Sequence, residues 1–176
     1  DRISKGIRTT DGYMVTCGYT ISFGAGDNDI LVTKCDGSGS IIWSKTYGTN
    51  LNESGYDIKQ TSDNGFVIAG TITETQTDVL VIKTDESGTI QWSVSYAAVA
   101  GDKFVKSIIE TVEGGYLVCG VLSESPNPTE IFCLKISNDG SGEWFKTYGG
   151  DFNDYAEKLI PSNDGGFVIC GSTFSF

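Results

Sequence analysis

No histidine occurs anywhere in the sequence, which removes the Ser-His-Asp and Cys-His nucleophilic pairs and the usual zinc sets in one stroke. There is no Cys-x-x-Cys, no Gly-x-Ser-x-Gly elbow and no phosphate loop, and Gly24-Ala25-Gly26 is too short for a dinucleotide fingerprint. Positive charge is scarce: 12 Lys and Arg stand against 23 Asp and Glu, a net charge of −11. That balance opposes nucleic acid and anionic membrane surfaces, because both require a basic patch to displace counterions. Apolar runs are short, none approaching the ~20 residues of a membrane span, so no membrane insertion is expected. Proline occurs three times, and helical periodicity is hard to find. The chain begins at Asp1 without a methionine or a signal peptide, which suggests a processed form or an excised segment.

What is present is glycine and repetition. Twenty-three glycines suit many short strands joined by tight turns that need positive φ. Asp63-Asn64-Gly65-Phe66-Val67-Ile68-Ala69-Gly70 has close copies beginning at Asp11, Glu113 and Asp164, with closing glycines at 18, 70, 120 and 171. A spacing near fifty residues means one supersecondary unit used several times. Equivalent starts fall at Asp1, Glu53, Lys103 and Asp154, giving units 1-52, 53-102, 103-153 and 154-176.

Within a unit, a first strand such as Tyr56–Thr61 meets the acidic turn, whose Asp-Asn-Gly or Asp-Gly-Gly favours a hairpin into the second strand. A variable loop leads to an apolar third strand, Ile30–Lys34, Val79–Lys83 or Ile131–Lys135. Runs of that kind suit strands buried on both faces. A second turn precedes a fourth strand carrying Trp43, Trp92 or Trp144, then Tyr47, Tyr96 or Tyr148. Small sheets apolar on both faces stack face to face around an axis, as in a β-propeller. The fold class expected is therefore all-β: a partial β-propeller of three four-stranded antiparallel blades, with residues 154-176 supplying two strands of a fourth.

The acid-Gly-Gly-aromatic-hydrophobic-hydrophobic-(Cys/Ala)-Gly stretch, the strand ending in Lys-x-Asp, the Gly-x-x-x-Trp and the Thr-Tyr-Gly together resemble a family of roughly fifty-residue propeller repeats, kelch-like or delta-60-type, of secreted and surface proteins. The likeness covers essentially the whole chain, with departures at Tyr13, Ala97 and Ser137. It implies an extracellular or cell-surface location and ligands held by the variable and inter-blade loops. An arc of this kind exposes apolar surface and an open strand edge, so further blades of a parent chain, or neighbouring subunits, are the expected partners.

Asp29, Asp78 and Glu130 occupy equivalent places just before the third strand. They are the candidate ligand-binding residues, as a ring of acids for Ca²⁺ or for a basic partner, although each also suits a local backbone cap. The turns at Asp36, Asp85 and Asn138 lack the rest of a calcium loop and read as hairpins. The repeated tryptophans and the strand-ending Lys34, Lys83 and Lys135 read as packing and snorkelling side chains. Asn52-Glu53-Ser54 is a glycosylation sequon at Asn52 in an inter-blade loop. Five cysteines, three of them at one small apolar repeat position, suggest buried free thiols.

These residues suggest a non-catalytic interaction or assembly module with a protein or glycan ligand and no catalytic residues. The alternatives are a structural subunit of a surface filament or sheath, and part of a carbohydrate-active enzyme. A glycosidase needs only two carboxylates, and 23 acids guarantee pairs among which the sequence does not choose.

Overall fold

The computed structural model describes residues 1–175. The first sheet contains β1 (Arg2–Arg8), β2 (Met14–Thr20), β3 (Asp29–Cys35) and β4 (Ile41–Tyr47). The second contains β5 (Asn52–Gln60), β6 (Phe66–Thr73), β7 (Thr77–Thr84) and β8 (Ile90–Tyr96). The third contains β9 (Asp102–Glu110), β10 (Tyr116–Ser123), β11 (Glu130–Ile136) and β12 (Gly142–Tyr148), and β13 (Asp154–Pro161) pairs with β14 (Phe167–Thr173). Each sheet is an antiparallel meander in chain order. The fold is all-β, three four-stranded blades and two strands of a fourth, with no sheet closed into a barrel.

Alternation along the strands explains why the blades stack. In β6, Phe66 and Ile68 face the first blade, where they meet Val15, Cys17, Ile30 and Val32. Val67 and Ala69 of the same strand face the third blade and meet Val105, Ile108, Val118 and Phe132. Successive side chains leave a strand on opposite faces, so an unbroken apolar run feeds two cores at once. A third core joins Ile109, Leu117, Cys119 and Cys133 to Ala156 and Leu159 of β13. The tryptophans sit at these seams: Trp43 lies edge-on to Phe66 at 6.1 Å, and Trp92 is tilted on Tyr116 at 5.8 Å.

The hairpin turns have the geometry their residues require. Gly12, Asn64, Gly114 and Gly165, the residues following the turn acids, all have positive φ, between 66° and 90°. Asn64 tolerates that region better than other residues with a Cβ. In the second turn, Lys83 Nζ reaches Asp63 Oδ2 at 2.8 Å, Thr84 O at 2.9 Å and Gln91 Oε1 at 3.1 Å. The side chain of Lys83 is buried and fully hydrogen-bonded at its tip, rather than snorkelling to open solvent. Cys17, Cys119 and Cys133 are buried free thiols, and burial pushes each up to about 12; Cys35 is half-buried and Cys170 exposed.

Adjacent blades are also latched by hydrogen bonds. Tyr47 Oη donates to Gly88 O and Tyr96 Oη to Gly140 O, both at 2.6 Å, each reaching the outer turn of the next blade. Replacing Tyr96 by Phe removes one such bond and leaves a buried carbonyl short of a donor. The expected loss is about 1 kcal/mol, read as a lower urea midpoint with an unchanged slope.

Asp63 generates a pH prediction. Burial pushes its carboxyl up, but hydrogen bonds from Lys83, Thr61 and the Gly65 N–H outweigh that and hold it down at about 2, from an ordinary 3.8. Its contribution to stability is therefore complete above the unfolded value and lost as pH falls from about 4 towards 2. Asp63→Asn is expected to unfold at lower urea than wild type at pH 7, with the difference shrinking at pH 2.

Candidate functional site

The inner strands β1, β5, β9 and β13 neighbour one another at the centre of the arc. Each carries a β-bulge at the same repeat position, skipping Ser4, Tyr56, Lys106 and Glu157 in the register. The closing glycines of the repeat stand opposite these bulges. A Cβ on Gly18, Gly70, Gly120 or Gly171 would lie only 1.8 to 2.3 Å from the carbonyl oxygen of Arg2, Ser54, Phe104 or Tyr155. The inner strand thus lies directly on its neighbour, and only glycine leaves room for that approach.

The bulges present a row of side chains away from the blade cores. Along β9, Lys103 and Val105 are buried while Phe104 and Lys106 are exposed; along β13, Asp154 and Ala156 are buried while Tyr155 is half-buried and Glu157 exposed. Tyr56 and Phe104 remain about two-fifths exposed. Tyr56, Phe104, Val105, Lys106, Val121 and Tyr155 line a depression of about 350 Å³. Lys106 Nζ approaches Glu157 Oε2 at 3.5 Å, an exposed pair that shapes the charge of the depression more than it stabilises the fold.

Beneath this row Asp57 is 3% exposed and joins two blades. Its Oδ2 accepts the Ile108 N–H and the Ser107 hydroxyl, each at 3.0 Å, while Lys59 Nζ lies 2.8 Å from both carboxylate oxygens. It therefore fixes β5 against β9 one residue past the bulges that carry Tyr56 and Lys106. Three aromatic faces beside an ammonium and a carboxylate suit a polyhydroxylated ligand, with C–H faces laid on the rings and hydroxyls on the charged tips. The outward turn of Tyr56, Lys106 and Glu157 escapes a reading of the sequence alone, because a bulge decides which side chains of a strand change sides. The available signal was the alternation of Phe104-Lys106 and Tyr155-Glu157 about Val105 and Ala156.

The three pre-strand acids lie elsewhere, at the blade junctions. Asp29 is buried and accepts the Ala25 and Gly26 N–H groups, each at 3.2 Å. Asp78 is half-buried and pairs with Lys103 Nζ at 2.9 Å. Glu130 is half-buried beside Gly149. They are held in three separate junctions, and among the described residues no three Asp, Glu, Cys or His side chains form a group able to hold a metal ion. Asn52 is exposed at the first residue of β5, bridged to Asn28. No described helix is long and apolar enough to cross a membrane.

No protein-family model matches the chain, and no curated protein matches it by sequence. Among solved structures, the chain is similar to a "putative exo-beta-1,3-galactanase" from Bifidobacterium bifidum s17, with a TM-score of 0.60 and 16% identity over 95% of this chain and 60% of that one. The chain thus spans about three-fifths of the length of the protein it matches, and at this identity the likeness establishes the fold.

The comparison corrects three expectations. The structural likeness is to that "putative exo-beta-1,3-galactanase", so the kelch-like, delta-60-type assignment gives way to the broader one, a multi-bladed all-β propeller-like fold. The main reading as a non-catalytic interaction module, with its structural-protein and filament variants, is overturned by the same neighbour. So is the expectation that leans against an enzyme. The physical reason is that missing histidine removes the Ser-His-Asp and Cys-His pairs but not glycoside hydrolysis, which runs on carboxylates alone.

Asp57→Ala tests the framework of the depression. It leaves Lys59 and the Ile108 N–H without their buried partner, and the expected cost is about 3 to 5 kcal/mol, measured by chemical denaturation.

Proposed function

We propose that this chain is the propeller of a carbohydrate-active enzyme and that its inner-strand depression binds a polysaccharide chain. The observation that carries the reading is the shared display of Tyr56, Lys106 and Glu157, raised from three neighbouring blades by one repeated bulge, beside the aromatic side chains of Phe104 and Tyr155 on the same inner strands. The galactanase neighbour supports it, and β-1,3-galactan is the first ligand to try. The aromatic rings take the apolar faces of successive sugars, and the depression runs across blades, so its length suits an oligomer better than a monosaccharide. The catalytic carboxylates are proposed to be completed by further blades of a longer polypeptide. The exposed Ile3 at one end of the arc and the exposed Phe167 and Val168 of β14 at the other support such covering. A location outside the cell or on its surface is part of this proposal, since structural polysaccharides are found there.

The test is affinity electrophoresis and calorimetry with β-1,3-galactan and a panel of other polysaccharides, together with assay of the native polypeptide for released sugar. Wild type is expected to be retarded by at least one polysaccharide. Tyr56→Ala and Phe104→Ala should each weaken binding about tenfold, the equivalent of ~1.4 kcal/mol, without a change in circular dichroism. Retardation that is equal in wild type and both variants, or absent throughout the panel, would refute the reading.

A further inference from the structure

The three blade junctions solve one electrostatic problem in different ways. Each brings the acid at the start of the third strand close to the first buried residue of the following blade: Asp29 with Glu53, Asp78 with Lys103, Glu130 with Asp154. In the second junction the pairing is of opposite charges. Lys103 is fully buried, and its Nζ lies 2.9 Å from both Asp78 Oδ1 and Gly101 O. In the first junction the corresponding residue is Glu53, so two carboxylates face each other, with Asp29 2% and Glu53 1% exposed.

Those carboxylates converge on one place. The position that a Cβ on Gly48 would take lies 1.9 Å from Asp29 Oδ1 and 3.0 Å from Glu53 Oε2. The other oxygen of Glu53 is occupied, accepting the Thr49 N–H at 3.2 Å and the Thr49 hydroxyl at 2.6 Å. Glu53 Oε2, by contrast, is buried and has no hydrogen-bond partner among the described residues. Burying an unpartnered carboxylate oxygen beside a second carboxylate is costly unless positive charge is supplied. Gly48 itself is exposed, so the place is reached from solvent without unfolding the blades.

We infer that a hard divalent cation binds between Asp29 and Glu53 and closes the first blade junction, doing there what the Lys103 ammonium does in the second. Two carboxylates in a chain without histidine favour an oxygen-seeking ion, and calcium is the appropriate probe. The ion would join β3 of one blade to the start of β5 in the next; neither Asp29 nor Glu53 lines the glycan depression, so its role is to fix blade orientation rather than to contact substrate.

Thermal unfolding and calorimetry of the native polypeptide in EDTA and in Ca²⁺ test this. Wild type is expected to gain about 5 to 10 °C in Tm at a hundredfold excess over Kd. Glu53→Gln should lose most of that gain. Glu53→Lys, which transplants the charge arrangement of the second junction, should lose it entirely while unfolding in EDTA at or above the wild-type temperature. Glu86→Gln, at an exposed turn acid, serves as the control and should keep the full gain. Equal Tm in EDTA and Ca²⁺ for wild type, or a gain in Glu53→Gln as large as in wild type, would overturn the inference. Since none of these readouts involves sugar, they stand or fall independently of polysaccharide binding.

Discussion

The second and third sheets of this protein are apolar on both faces, and the rest of the structure follows from the need to cover each of those faces. A strand such as β6 sends Phe66 and Ile68 one way and Val67 and Ala69 the other. No single blade can satisfy that pattern alone, and no helix layer occurs among the described residues. The remaining solution is blade against blade, with small residues where strands press together and aromatic residues at the seams. Directional bonds then set the angle: the tyrosine latches at the outer rim, Asp57 near the inner strands, and the paired residues of the loop junctions.

The same packing constraint creates the candidate site. The closing glycine of each repeat lets the inner strand lie against its neighbour at a distance no side chain would permit. The bulge that accompanies this approach turns one residue per blade outward. Because the bulge recurs, the outward residues of three blades fall in one row, and their identities vary freely while the glycine beneath them does not. Architecture and ligand choice are thus carried by different positions of the same strand.

Much of the fold was legible because it repeats. The acidic turn, the positive-φ residue after it, the two-faced strands and the Trp-Tyr outer strand all announce themselves by their spacing, and the structure has each of them. The site was much less legible. Asp29, Asp78 and Glu130 stand out as equivalent acids, but their partners Glu53, Lys103 and Asp154 belong to the next repeat, and whether the pair attracts or repels depends on that residue. Tyr56, Lys106 and Glu157 were hidden for a different reason. Simple alternation places a residue on one face or the other of a sheet, whereas a bulge is a tertiary event governed by how closely another backbone approaches. The absence of histidine, for its part, narrowed the chemistry without ruling catalysis out.

The rim latches run one way. Tyr47 grips the turn at Gly88 and Tyr96 the turn at Gly140, each blade holding the one that follows it in the chain. The array therefore has a polarity, like roof tiles laid in one direction. A disturbance in one blade deprives its predecessor of an acceptor but leaves its successor's own grip intact, so loosening at the rim would travel backwards along the polypeptide more readily than forwards.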